Sequence, residues 1–338
     1  MLKAVIMAGG KGERFWPYSR DDNPKQCLRI ISKKTMVEDT IDRLKPIIEK
    51  KDIHIIANKE LSEKIKEYAP NVNYVIEPMR RNTAAAIGLA AINLDEDDIM
   101  FVETTDHVYK DNKDYLNHVK KAAEIAEKGR IVLIGIKPTH PHTGLGYIEK
   151  GGVLGKGDID TYQVSGFKEK PDLNTAKDYI KSGKYLWNSG MFISKVSVML
   201  DAIRNDMPEL HKALINIKKS PESIKEEFEK LESVSIDYGI MEKNKELAVI
   251  EADMHWDDIG DWLAMERFHE KDKDGNTIQA ENVAIDTKNS IIFGDKLVAT
   301  LGIEDLVVVT TKDAVLVCKK DRAQELKSLV KKLPKEYL

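Results

Sequence analysis

The chain has 338 residues, 42% of them hydrophobic, with 53 Lys and Arg against 57 Asp and Glu for a net charge of −4. That length suggests about two domains with a packed core, and the near balance of charge gives no reason to expect a nucleic acid or other polyanion as partner. Its two cysteines, Cys27 and Cys318, form neither a disulfide framework nor a metal-ligand pair. No stretch approaches roughly 18 apolar residues, and the first apolar run is too short for a signal peptide, so no membrane partner is expected and the cytoplasm is the expected location.

In chain order, Ala4–Met7 reads as a buried strand that empties into Gly9-Gly10-Lys11-Gly12-Glu13-Arg14-Phe15-Trp16-Pro17, with Pro24-Lys25-Gln26 close behind. Glycines let backbone N–H groups approach a ligand, and successive N–H groups make an anion-binding concavity. Arg14 and Lys25 add charge that a bare turn lacks. The segment reads as a triphosphate cradle at the end of a first strand. A dinucleotide fingerprint is excluded because Phe15 stands where its third glycine belongs, and a P-loop is excluded because no Gly-Lys-Ser/Thr follows. The bland alternative is a strand followed by a flexible turn; the two cations weigh against it.

Met36, Val37, Ile41, Leu44 and Ile48 fall at helical spacing, Ile53–Ala57 reads as a second strand, and alanine-rich Thr83–Leu94 as a helix. Ile99–Val102 is the third strand expected, running into Thr104-Thr105-Asp106-His107; a helix around Tyr115–Ala126 and a strand at Ile131–Ile136 follow. Such alternation argues for an α/β fold with a mostly parallel sheet covered on both faces. Ligands then sit at the carboxyl ends of the strands, so the glycine loop and Asp106 are expected on that edge. From about Asn276 short β-like runs alternate with polar turns, and a helix over Asp321–Leu333 closes the chain. The expected domains are therefore residues 1–272 and a small β-rich domain, 276–338.

Several residues carry chemistry on this reading. Asp106, directly after a strand, suits Mg²⁺, which takes oxygen ligands and keeps substrate phosphates in its shell; an aspartate capping a turn is the competing reading. Trp256-Asp257-Asp258-Ile259-Gly260-Asp261-Trp262 sets three acids between two tryptophans that pin the loop, and a rigid acid there would complete a metal site with Asp106. In Phe167-Lys168-Glu169-Lys170-Pro171, alternating solvated charge is the ordinary explanation. Asn188, placed just before an apolar strand, suits a sugar hydroxyl or a turn equally. Thr143-Gly144-Leu145-Gly146-Tyr147 is either a hairpin or a close approach of a ligand. His140-Pro141-His142 reads as a solvated loop, and His107 and His255 as structural.

Taken in order, these segments, with Glu77-Pro78, Asn82-Thr83-Ala84, Leu186-Trp187-Asn188-Ser189-Gly190-Met191-Phe192 and Ser235-Ile236-Asp237-Tyr238, resemble the mannose-1-phosphate guanylyltransferases over nearly the whole chain. The glycine loop alone would indicate only the wider sugar-nucleotidyltransferase superfamily. The resemblance implies GTP plus mannose 1-phosphate giving GDP-mannose plus pyrophosphate. It implies a Rossmann-like nucleotidyltransferase domain and a short C-terminal left-handed β-helix-like domain. By the same resemblance Arg14 and Lys25 hold the triphosphate, Asp106 and Asp258 hold Mg²⁺, and Lys170 meets the sugar phosphate. Glu169, Asn188 and Gly146 meet mannose, while Gly9, Gly10, Gly12 and Asn82 line the nucleotide side.

Leu145 replaces a tyrosine usual between the two glycines, Thr104-Thr105 stands where Pro-Ala or Pro-Ser is common, and Cys27 where phenylalanine is usual; none removes a charged group. The added isomerase domain of larger bifunctional relatives is not expected. Another base or sugar, a non-catalytic sugar-nucleotide sensor, and most weakly a dehydrogenase are the alternatives. Retention of the four charged groups weighs against a sensor. A homodimer is admitted as an expectation, since the sequence does not set the oligomeric state.

Overall fold

A computed structural model describes residues 1–338. Grouped by contacts, the chain forms two units: Met1–Gly9 with Ile41–Thr105 and Tyr109–Trp256, and Gly10–Thr40 with Asp106–Val108 and Asp257–Leu338. These cut points differ from the 272/276 boundary expected from composition, because the glycine-loop segment groups with the C-terminal residues.

The first unit is built on a nine-stranded sheet. Its strands are β1 (Leu2–Met7), β2 (Ile53–Ala57), β3 (Asn73–Ile76), β4 (Ile99–Thr104), β5 (Ile131–Ile136), β6 (Tyr147–Gly155), β7 (Thr161–Lys168), β8 (Tyr185–Lys195) and β9 (Leu247–Ala252). They lie in the order β3-β2-β1-β4-β8-β5-β9-β7-β6, with β6 also paired to β8. β1 runs parallel to β2 and β4, β2 to β3, and β5 to β9. β8 is antiparallel to β4, β5 and β6, and β7 is antiparallel to β6 and β9. Most strands thus share one direction, and β7 and β8 run against it. The reversal at β7 follows from a short turn after β6, which can only make a hairpin, whereas a parallel neighbour needs a long crossover.

The central strand β5 is buried at every position, as a strand covered on both faces must be. β3 escapes a periodicity search because only Val75 of its four residues is buried. The alanine-rich helix spans Asn82–Ala91. Its small side chains admit close neighbours: a Cβ on Gly88 would sit 2.7 Å from Leu214 Cδ1.

The second unit draws on three separate stretches of chain. Its C-terminal part holds β10 (Thr277–Gln279), β11 (Asn282–Ile285), β12 (Ile291–Gly294), β13 (Val298–Leu301), β14 (Leu306–Thr310) and β15 (Val315–Lys319). β10, β12 and β14 stack in parallel with Ile278, Ile292 and Val308 in register, and β11 stacks in parallel on β13. These are the successive coils of a β-helix-like domain, which antiparallel β15 closes.

Ile291, Phe293, Val307, Val309 and Leu316 pack in one core with Phe15, Trp16, Leu28 and Trp262. Trp262 is fully buried at its centre, with ring centroids of Phe15, Tyr18 and Phe293 5.3–5.5 Å away. Its indole N–H donates to the Trp16 carbonyl at 3.1 Å, and the Trp16 indole donates to the Tyr337 carbonyl at 2.8 Å. The single closing helix expected over Asp321–Leu333 is instead a 3₁₀ segment, Lys320–Glu325, followed by an α-helix, Leu326–Val330. The tighter winding aligns residues three apart, and Ala323 and Leu326 are both buried.

Candidate active site

In the second unit, the glycine loop is shaped by one obligatory glycine. Gly12 has φ +67°, and a Cβ there would lie 2.6 Å from Lys25 Cβ and 2.7 Å from Ser19 Oγ. Only glycine fits a left-handed residue under such crowding. The Phe15 amide then donates back to the Gly12 carbonyl at 2.7 Å, closing the 3₁₀ turn Glu13–Phe15. Phe15 is fully buried, which anchors the turn beneath Arg14.

Lys25 opens a second 3₁₀ turn, Lys25–Cys27, after Pro24. Its ammonium lies 2.7 Å from Asp106 Oδ2, with the lysine side chain 11% and the aspartate side chain 31% exposed. The same ammonium stands 5.5 Å from the Phe15 ring centroid. The Ile259 amide donates to the Asp106 carbonyl at 2.8 Å, which ties the backbone of the loop that carries Asp258 to that of Asp106. The other two acids of that loop hold structural partners. Asp257 Oδ1 accepts from Arg267 Nη2 at 2.7 Å, and Asp261 Oδ1 accepts from the Leu263 amide at 2.8 Å. Arg14 lies by the same loop: a Cβ on Gly260 would sit 3.7 Å from Arg14 Nη1.

The acids at this place do not amount to a complete metal cage. The chain holds no group of three or more His, Cys, Asp or Glu suited to hold a metal ion. Asp106 and Asp258, on backbone segments tied together, supply the oxygen donors that Mg²⁺ takes; it is commonly held through one or two carboxylates and completes its shell with water and substrate phosphates.

In the first unit a separate group forms. The Asn188 amide donates to the Gly146 carbonyl at 2.7 Å. A Cβ on Gly146 would collide with Glu169 Oε2 and stand 3.2 Å from Asn188 Cβ, so glycine is what lets Glu169 reach this spot. Asn188 lies inside β8, not before it as its apolar neighbours suggested. It pairs with Gly135 next to a register shift in the β5–β8 ladder, which frees its side chain from the regular pleat. Asn188 Nδ2 donates to Asp237 Oδ1 at 3.0 Å, and its Oδ1 accepts from the Gly190 amide at 3.1 Å.

Glu169 and Lys170 form an ion pair, with side-chain exposures of 12% and 60%. The Lys-Glu-Lys run is therefore not simply a solvated face, because its acid turns inward. Lys170 has φ +47°, a conformation rare for a long side chain and of the kind concentrated at functional sites. Burial pulls its ammonium pKa down, but the Glu169 carboxylate, with Tyr238 and Asp237 adding to it, leaves it raised. Burial, reinforced by the Glu169 charge, pushes the Asp237 carboxyl up to about 6.

Asn82 heads its helix at φ +66°, with its own Oδ1 accepting from the Thr83 amide at 2.9 Å. Thr83 Oγ1 accepts from the Ile236 amide at 2.8 Å, which joins this helix start to the segment carrying Asp237.

The structure therefore brings Gly10, Gly12, Arg14, Lys25, Asp106 and Asp258 into one unit. Gly146, Glu169, Lys170 and Asn188 gather in the other, which also carries Gly9 and Asn82. Asp237 carried no role in the sequence reading. Its one sequence signal was an acid inside Ser-Ile-Asp-Tyr, flanked by the buried Ile236.

A glycine loop followed by two cations and two carboxylates, in a chain that also carries a mixed α/β sheet, is the feature set of the nucleotidyltransferases. A family model for nucleotidyl transferases matches residues 3–275, and one for the MannoseP isomerase/GMP-like beta-helix domain matches residues 280–333. Mannose-1-phosphate guanylyltransferase of Escherichia coli is 38% identical over 98% of this chain and 75% of its own length. Mannose-1-phosphate guanylyltransferase RfbM of Salmonella typhimurium is 39% identical over 96% of this chain and 71% of its own. A solved structure described as mannose-1-phosphate geranyltransferase from Thermus thermophilus superimposes with a TM-score of 0.91 at 36% identity, covering 98% of both chains. The chain belongs to the mannose-1-phosphate guanylyltransferase family.

Proposed function

We propose that this chain transfers GMP from GTP to mannose 1-phosphate, giving GDP-mannose and pyrophosphate. The observation that carries the reading is the likeness, over nearly the whole of this chain, to relatives named for that activity, with the nucleotidyl transferase and GMP-like β-helix models following each other along this chain. In the reaction a phosphate oxygen of mannose 1-phosphate attacks the α-phosphorus of GTP. The bond from that phosphorus to the bridging oxygen breaks, and its electron pair leaves with pyrophosphate. No covalent enzyme intermediate is needed, so positioning and charge neutralisation do the work.

Arg14 and Lys25 neutralise the triphosphate and the departing pyrophosphate, and the N–H groups around Gly9, Gly10 and Gly12 line its path. Asp106 and Asp258 would hold Mg²⁺, which when bound supplies positive charge at phosphate oxygens. Asn82 faces the nucleoside. Lys170 meets the sugar phosphate, and Glu169 and Asn188, with Gly146 leaving room, meet mannose hydroxyls. Asp237 joins that group through its hydrogen bond to Asn188. No helix is long and apolar enough to cross a membrane, which accords with a cytoplasmic enzyme. A homodimer is the assembly proposed, and residues 1–272 and 276–338 stay the proposed catalytic and C-terminal domains.

The test is pyrophosphate release by the purified protein with a panel of nucleoside triphosphates and sugar 1-phosphates at fixed Mg²⁺. GTP with mannose 1-phosphate is expected to give the highest kcat/KM. Preference for ATP or dTTP, or for glucose 1-phosphate, would overturn the assignment.

A further inference from the structure

We propose that Gln324, in the C-terminal segment, is a positioning residue that holds the Arg14 guanidinium in place for the triphosphate. Arg14 Nη1 donates to Gln324 Oε1 at 2.7 Å. At the other end of the same amide, Gln324 Nε2 donates to Asp261 Oδ2. Asp261 is 6% exposed, and its second oxygen caps the short turn Trp262–Ala264 by accepting from the Leu263 amide. That turn begins with Trp262, the centre of the second unit's core. A line of polar links therefore runs from a buried anchor, through one amide, to the cation of the glycine loop.

The chemistry selects glutamine. An amide is a donor at one end and an acceptor at the other. Asp261 must accept, so it takes the NH₂ and turns the carbonyl oxygen toward the guanidinium, which only donates. Glutamate at 324 would set a carboxylate against Asp261, and lysine would set an ammonium against Arg14. The Gln324 backbone is pinned because Ala323 and Leu326, on either side, are buried, while its own side chain lies at the surface. An exposed amide of this kind adds little to stability. An arginine on a flexible stem, by contrast, has several rotamers to lose before it can meet an anion. The bridge holds the guanidinium beside the loop that carries Asp258 and removes part of that cost before nucleotide arrives.

The inference rests on the role given above to Arg14, and its test separates the two. Gln324→Met keeps the length of the side chain and deletes both hydrogen bonds. In the full chain it is expected to lower Tm by a few degrees at most, because the buried Asp261 loses one of its donors, to weaken GTP binding by calorimetry without sugar, and to lower kcat/KM for GTP by about tenfold. In an Arg14→Ala background the same change is expected to cost less than about twofold, because the partner it positions is gone. Gln324→Glu is expected to recover toward wild type, as a ratio to wild type at each pH, when pH falls to about 5 and one proton can bridge the two carboxyls.

Wild-type behaviour of Gln324→Met, a loss that persists undiminished without Arg14, an Arg14→Ala variant with full activity, or a flat Gln324→Glu ratio would each overturn the proposal. If the wild-type enzyme turns over another nucleotide or sugar pair instead, the guanylyltransferase reading fails. The coupling between Gln324 and Arg14 is then measured with that pair and stands or falls separately.

Discussion

The two groups of candidate residues are held by different kinds of structure. Arg14, Lys25, Asp106 and Asp258 sit on turns and strand ends drawn from three stretches of chain, and long side-chain links join them: Lys25 to Asp106, and Arg14 to Gln324. Gly146, Glu169 and Asn188 sit on or beside strands of one sheet, fixed by a backbone hydrogen bond and by the absence of a Cβ. On the function proposed above, the first arrangement would place charge against the charge that develops on phosphate, and the second would set the shape that tells one sugar from another. Losing a side chain should damage the first group most, and adding a methyl group the second.

The sharpest test of that contrast is Asp258→Asn. With one of two carboxylates neutralised, kcat is expected to fall by about 10³-fold or more while Tm holds, since metal-assisted charge stabilisation is worth several kcal/mol. Near-normal turnover across a Mg²⁺ titration would remove Asp258 from the site. Lys25→Ala should follow, with kcat down by roughly 10²-fold and a smaller change in KM for GTP, because charge matters most as pyrophosphate departs. An unchanged kcat with weaker GTP binding alone would assign Lys25 to ground-state binding.

On the other side, Gly146→Ala should raise KM for mannose 1-phosphate by about tenfold and leave KM for GTP within about twofold, since the new methyl group displaces Glu169. Equal changes in both constants would show that the two groups are not separate in function.

The smallest effect concerns pH. The Asp237 carboxyl titrates near 6 in the folded chain, above its ordinary value. The stability it contributes is therefore present below its unfolded pKa of about 4 and is lost as pH rises through about 6. Asp237→Asn removes the ionisation, so its Tm should exceed wild type by a few degrees at pH 7.5 and converge with it below about pH 4, read by calorimetry at a series of pH values. Parallel curves would mean that Asp237 ionises freely.

The parts legible in the sequence were those written locally. The glycine loop, the strand leading into Asp106 and the change to short β runs after Asn276 each lie within a few consecutive residues. What escaped depends on partners far away. The reversed direction of β8 is set by its neighbours in the sheet, and its own composition is that of any buried strand. Asn188 suits a turn and a sugar hydroxyl equally on its own residues, because a register shift against β5 is invisible from one strand. Glu169 looked solvated because nothing in Lys-Glu-Lys announces Gly146. Asp237 and Gln324 passed unassigned because their hydrogen bonds reach Asn188 and Arg14 across 49 and 310 residues of sequence.

Such distances have a consequence in time as well as in space. Phe15, Trp16, Leu28 and Ile30 find their core only with Trp262 and the β-helix strands, and the Trp16 indole bonds to Tyr337, 321 residues later. On a ribosome adding about 5–20 residues per second, the glycine-loop segment emerges early and waits on the order of ten seconds or more for its core partners. The glycine-loop segment is thus among the last parts of the chain to acquire its native core, which is not complete until the C-terminal coils have been made.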